Sequence, residues 1–184
     1  KMDDDNWRSV VVTSDAALNV SKSSSVVSIT PGGTFSYAIT MRNTGNRDTV
    51  ARTFSDIDID GTPGTFEAAS GIMVTDEIPE GVLITGQSTI DFPPPRQAGA
   101  VPLYGYANGA WSSEGNIAAW GGTSAVKSVG WLLEQNLSRG QSASFVWRAV
   151  AASTLAVDII LNKAEVLWSD ASGIRSSITN IVGV

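Results

Sequence analysis

The sequence predicts an all-β protein, an antiparallel sandwich of short strands, and three observations carry that prediction. In residues 34–43, Phe35, Tyr37, Ile39 and Met41 alternate with Ser36, Ala38, Thr40 and Arg42, the period of two that a strand shows when one face is buried and the other wet. Ala143, Phe145, Trp147 and Ala149 alternate in the same way with Ser144, Val146, Arg148 and Val150. Turn formers separate the β-prone runs, and no stretch carries an apolar stripe at helical spacing.

Taken in order, residues 1–5 are a polar lead. Residues 7–13, with Trp7, Val10, Val11 and Val12, form a β-prone run with no partner close behind it. Ala16, Leu18 and Val20 alternate with Ala17, Asn19 and Ser21 and predict a first edge strand. Pro31-Gly32-Gly33 turns the chain into the central strand at 34–43, and Asn43-Thr44-Gly45-Asn46 turns it out. Residues 47–70 read as an acidic, Gly- and Pro-containing insertion. After them Ile72, Met73 and Val74 begin a strand that Pro79 ends at a corner, and a further short strand runs through Val82 and Ile84. Residues 92–130 read as a second long loop insertion, opened by Phe92-Pro93-Pro94-Pro95 and rich in Gly and aromatics. Strands then follow at 143–150, 157–161, 164–168 and 174–182, with Asp170-Ala171-Ser172-Gly173 as a hairpin turn.

Composition narrows the function. The 184 residues fit one sandwich domain, here residues 16–184 behind an arm at 1–15. A net charge of −6, from 12 basic and 18 acidic residues, argues against a nucleic-acid partner. No apolar run approaches the ~20 residues needed to cross a bilayer. The chain has neither His nor Cys. Ser-His-Asp and Cys-His nucleophile sets and the usual zinc sets therefore cannot be built from it, and no catalytic residue is assigned. The first residue is Lys1 rather than Met, as in a mature chain cut from a precursor or in a shortened chain, and the Ser-, Thr-, Gly- and Val-rich text suits an exported β protein.

Six short motifs then stand in a recognisable order: Ala17-Leu18-Asn19-Val20-Ser21-Lys22, Pro31-Gly32-Gly33-Thr34-Phe35-Ser36-Tyr37, Asn43-Thr44-Gly45-Asn46, Val74-Thr75-Asp76-Glu77-Ile78-Pro79-Glu80-Gly81-Val82, Arg139-Gly140-Gln141-Ser142 and Leu161-Asn162-Lys163-Ala164-Glu165-Val166. In this series the chain resembles the Ig-like repeats of prokaryotic surface proteins catalogued as domain of unknown function 11, over most of residues 16–182. The resemblance implies an immunoglobulin-like β-sandwich from stalks, adhesins or envelope components, and it makes Asp76 part of a strand-turn signature whose carboxylate accepts backbone amides. The two insertions and the extra N-terminal arm exceed the family pattern.

A single module with an unpaired β-prone arm suggests assembly by strand donation. Trp7, Val10, Val11 and Val12 have the length and β content to complete the open edge of a neighbour's sheet. Head-to-tail donation does not close on itself and so builds a filament. The alternative at this stage is that residues 7–13 fold back as an edge strand of their own domain.

The sharpest chemical motif lies in the first insertion. Asp56, Asp58, Asp60, Gly61 and Glu67 fit the D-x-D-x-D-G-x5-E calcium-loop spacing, and Thr62 offers a carbonyl. Alternate carboxylates can converge on a hard cation that Glu67 closes with both oxygens. The competing reading is a strand with one acidic, wet face. No cofactor is required by the sequence, and a structural calcium is the one it offers.

Asp76, Glu77 and Glu80 stand close enough in sequence to be weighed as a glycosidase-like carboxylate pair, and the strand-turn role of Asp76 is preferred. Tyr104, Tyr106, Trp111 and Trp120 are candidates either for a sugar-stacking surface or for packing a loop onto the sandwich. Asn19 and Asn136 head glycosylation sequons. The expectation is an extracellular, cell-surface structural subunit, not an enzyme, whose partners are copies of itself in a pilus-like fibre. A monomeric adhesive or carbohydrate-binding module that takes surface glycans, and a stalk repeat, are the alternatives.

Overall fold

In chain order the strands are β1 (Leu18–Ser24), β2 (Thr34–Asn43), β3 (Arg52–Asp58), β4 (Glu67–Glu77), β5 (Val82–Leu83), β6 (Ala100–Tyr106) and β7 (Trp111–Ser113). They continue as β8 (Val126–Leu133), β9 (Ser142–Ala151), β10 (Leu161–Asn162), β11 (Ala164–Asp170), β12 (Gly173–Ile178) and β13 (Val182–Gly183), with a single helical turn, α1 (Ser88–Asp91), between β5 and β6. The computed structural model describes residues 15–60, 62, 65–113, 117–154 and 159–184. Residues 7–13, the arm singled out above, lie outside the described residues.

The two alternating runs are partners. β2 and β9 pair antiparallel with Tyr37 opposite Trp147 and Ile39 opposite Phe145, so both apolar rows fall on one face. All eight alternating residues of that face, Phe35 to Met41 and Ala143 to Ala149, are buried. With β1 on one flank and β5 on the other they make a four-stranded sheet. Against it packs a larger sheet containing β4, β8 and β11. Ile72, Val74, Trp131 and Val166 from that sheet share one core with Tyr37, Ile39, Phe145 and Trp147. The fold is therefore an all-β sandwich built from antiparallel sheets.

The segments expected as loop insertions are instead woven into the second sheet. β3 and the first four residues of β4 come from residues 47–70, while β6 and β7 come from residues 92–130. These strands close a ring, β3 to β4 to β8 to β6 to β7 and back to β3, whose last contact is parallel. Inside the ring lies a second apolar cluster of Ile57, Ala69, Met73, Leu103 and Leu132. Strand β6 thus has a core on each face: Leu103 enters the ring while Tyr104 and Tyr106 enter the sandwich. A strand buried on both faces has no wet face to alternate with, which is why residues 100–106 do not read as a strand.

Turns behave as their residues require. Gly32, Gly81 and Gly140 hold positive φ of 77°, 79° and 79°, a region open to glycine at no steric cost. Gly45 is needed for proximity instead, since a Cβ there would stand 2.4 Å from the Asp15 carbonyl oxygen. Asn43, buried at the end of β2, donates to the carbonyls of Arg47 at 2.7 Å and Leu137 at 2.9 Å and accepts from the Gly45 N–H. The C-terminal residues form the expected last strand in two pieces, β12 beside β11 and β13 beside β10. No helix among the described residues is long and apolar enough to cross a membrane.

Candidate functional site

The alternation of β1 puts Leu18 and Lys22 on the core face, and that of β4 does the same for Ile72, Val74 and Asp76. Two ionisable groups therefore meet inside the sandwich. The Lys22 amine donates to Asp76 Oδ2 at 2.5 Å, with both side chains fully inaccessible to solvent. The same carboxylate oxygen accepts from the Trp147 indole N–H at 2.6 Å. Lys22 also lies over the Tyr37 ring, 4.5 Å from its centre.

A third polar side chain completes the group. Asn162, buried at the end of β10, stands two residues before Ala164, which is the register partner of Asp76. Its carboxamide comes within reach of both Asp76 and the Tyr37 hydroxyl. Yet Asn162 Nδ2, Asp76 Oδ1 and the Tyr37 hydroxyl all lack a partner in good hydrogen-bond geometry. The main chain around the group is held firmly. Asn180 accepts from the Lys22 N–H at 2.8 Å and donates to the Lys22 carbonyl at 2.9 Å, and the Asn162 register partner Val182 is two residues further on.

Burial sets the electrostatics. Desolvation outweighs the attraction of Asp76 and brings the Lys22 amine down to about 8. It also raises the Asp76 carboxyl above its usual range, against the opposing pull of Lys22, Trp147 and Asn162. Desolvation, with the Asp76 charge beside it, pushes the Tyr37 hydroxyl up to about 12. Amine and acid are thus both driven towards their neutral forms. Asp76 is not the amide-accepting turn residue that the resemblance implied. It faces inward from the middle of a sheet, where the backbone amides are already paired in the ladder.

The other candidates are placed as follows. Among the described residues Asp58, Asp60 and Glu67 bring one oxygen each within 4.8 Å of one another, and Asp56 is not in that group. Each of the three already accepts a hydrogen bond: Asp58 from the Trp120 indole, Asp60 from the Thr62 N–H and Glu67 from the Ile59 N–H. Strands rather than helices flank the loop, and Gly61, Pro63 and Gly64 lie outside the described residues. The aromatics pack inward. Trp120 stacks on Tyr106 with rings 5.2 Å apart, Tyr104 is buried against Phe92, and the Trp111 ring lies 2.8 Å from where Gly105 and Gly130 would carry a Cβ. Asn19 and Asn136 are both exposed. Trp7, Val10, Val11 and Val12 lie outside the described residues.

An open strand edge is the remaining feature. Along its inner edge β9 pairs with β2 from Ser142 to Val150, but on its outer edge it meets a described strand, β5, only at Val150 and Ala151. The Ser144 N–H faces outward, donating to the Gln97 side chain at 3.3 Å, and the Ala151 N–H faces inward to Gly33. By alternation the N–H and C=O of Val146 and Arg148 also point outward. Among the described residues, this side of a core strand is therefore paired by no strand between Ser142 and Ala149.

No family model and no curated protein sequence matches the chain. Among solved structures the fold is similar to BcpA, the major pilin subunit of Bacillus cereus, with TM-score 0.52 and 12% identity over 92% of this chain and 40% of the pilin. It is similar also to the full-length major pilin SpaD of Corynebacterium diphtheriae, with TM-score 0.50 and 13% identity over 90% of this chain and 34% of that one. The chain spans well under half the length of either pilin, and at these identities what is shared is the Ig-like pilin-domain fold.

Proposed function

We propose that this chain is a structural subunit of an extracellular surface filament, of the domain of unknown function 11 type, and that it polymerises by donating residues 7–13 to the outer edge of β9 in the next copy. The observation that carries the reading is that edge. Ser142–Ala149 belong to a strand whose inward side chains are buried core, while its outward backbone groups meet no described strand. An added strand would satisfy those groups and cover the half-buried Val146 and Arg148. The pilin fold of the solved neighbours and the sparse, acidic surface charge are in keeping with a structural protein rather than an enzyme or a nucleic-acid binder.

Electron microscopy and size-exclusion chromatography of the chain with and without residues 1–14 test this. Filaments from the full chain and small particles from the truncated one are expected. Equal, compact monomers from both would return the arm to its own sandwich and leave a monomeric adhesive or stalk module as the reading.

A further inference from the structure

We infer that the folded chain joins the side chains of Lys22 and Asn162 in an amide bond, with Asp76 as the acid-base group. Three observations on the sandwich core lead there. A fully buried ammonium at Lys22 has three N–H donors, and the one hydrogen bond it makes is to Asp76 Oδ2. Such a mismatch is expensive in an apolar core. The Asn162 amide nitrogen, buried within reach of the same Asp76, has no partner in good hydrogen-bond geometry. Joining the two removes both anomalies: ammonia departs with the unpartnered Nδ2, and Lys22 Nζ becomes an amide N–H with one donor for the one acceptor it faces. Third, both backbones are fixed, since Asn180 clamps Lys22 from both sides and β13 pairs Asn162. Reacting groups held in this way need no diffusional encounter, which is worth several orders of magnitude in rate.

The step balances without any co-reactant. Asp76 takes a proton from Lys22, leaving a neutral amine whose lone pair is the nucleophile. The now protonated carboxyl hydrogen-bonds to the Asn162 carbonyl oxygen and polarises it as Nζ forms its bond to Cγ. Asp76 then shuttles a proton from Nζ to Nδ2, the Cγ–Nδ2 bond breaks, and ammonia leaves. The departing ammonia takes the remaining proton from Asp76 and leaves as ammonium, so ammonium plus carboxamide has become amide plus ammonium and Asp76 returns to the carboxylate. Burial prepares both partners, by bringing Lys22 to about 8 and raising Asp76. Trp147 holds the carboxylate in place through its indole N–H.

Intact mass of the purified full chain under denaturing conditions tests the inference. A mass about 17 Da below that of the sequence is expected, for one ammonia lost. Trypsin should fail to cut after Lys22 and should yield a branched peptide joining it to the segment that contains Asn162. Lys22→Met and Asp76→Ala chains should keep their full mass. Because the wild-type measurement stands alone, a variant that does not fold does not blunt the test. A folded wild-type chain at full mass would overturn the inference, as would a loss of about 18 Da with a branch between Lys22 and Asp76, since water would then be the leaving group.

Discussion

Lys22 is the residue whose chemistry most depends on where the fold puts it. On a surface strand it would be an ordinary solvated cation, but in phase with Leu18 on β1 it is carried into the core opposite Asp76. That placement has a pH signature whose sign follows from its lowered pKa. Folded chains in which Lys22 is a free amine give up its proton near pH 8 and unfolded ones near the ordinary lysine value of 10.5. Between those values the unfolded state holds the extra proton, so stability rises with pH, and below 8 the full cost of the buried ammonium is felt. In an Asn162→Ala chain, where Lys22 stays a free amine, the urea midpoint should rise from pH 7.5 to 9.5 relative to the same chain carrying Lys22→Met. In the wild-type chain, with Lys22 held as an amide, the rise should be absent. A free-amine chain with no pH response relative to its Lys22→Met counterpart would mean that Lys22 is not desolvated. The sequence carries a signal for this site: Leu18-Val20-Lys22 and Ile72-Val74-Asp76 each continue an apolar alternation into a charge. One charge in the buried phase is a curiosity, and two become a pair only when β1 and β4 are known to face each other.

At the level of elements, the long strands with one wet face, β2 and β9, are legible and the doubly buried β6 is not. β2 and β9 fall where alternation placed them, whereas β6, covered by the ring cluster on one side and the sandwich core on the other, reads as loop. The acidic loop after β3 was read from spacing alone, and the fold selects among its carboxylates. β3 carries a register irregularity between Phe54 and Ile57, and the neighbouring Asp56 falls outside the group formed by Asp58, Asp60 and Glu67. Those three bring one carboxylate oxygen each within 4.8 Å of one another. Millimolar calcium should therefore raise the melting midpoint by a few degrees, and Glu67→Gln should abolish the rise. An unchanged midpoint would leave these carboxylates as hydrogen-bond acceptors for Ile59, Thr62 and Trp120.

For the whole molecule, the outer edge of β9 and the proposed Lys22–Asn162 link would divide the work of the proposed fibre. The edge would join one copy to the next, while the link would tie the first strand to the end of the chain, so that tension could not peel β1 away from the sandwich. Val146→Pro separates assembly from folding. Its N–H points away from β2, so proline removes a donor that only an added strand would use, and edge positions tolerate proline. Filaments should be lost while the melting midpoint of the purified variant stays close to that of the truncated wild-type chain. Filaments of normal appearance from Val146→Pro would place the donated strand elsewhere, with the exposed Ile174 and Ile178 of β12 marking the next edge to examine.

The sequence by itself determined the class of fold, the central strand pair and the turns that bound it, because periodicity and turn chemistry are local properties that each segment expresses alone. It also excluded His- and Cys-based chemistry outright. Only the tertiary structure decided that residues 100–113 join residues 52–58 to close a ring, that Lys22, Asp76 and Asn162 share one buried site, and that the outer edge of β9 meets no described strand between Ser142 and Ala149. Those are relations between segments far apart in the chain. Their energies come from desolvation and from hydrogen bonds made or left unmade, and neither exists until the sheets have packed.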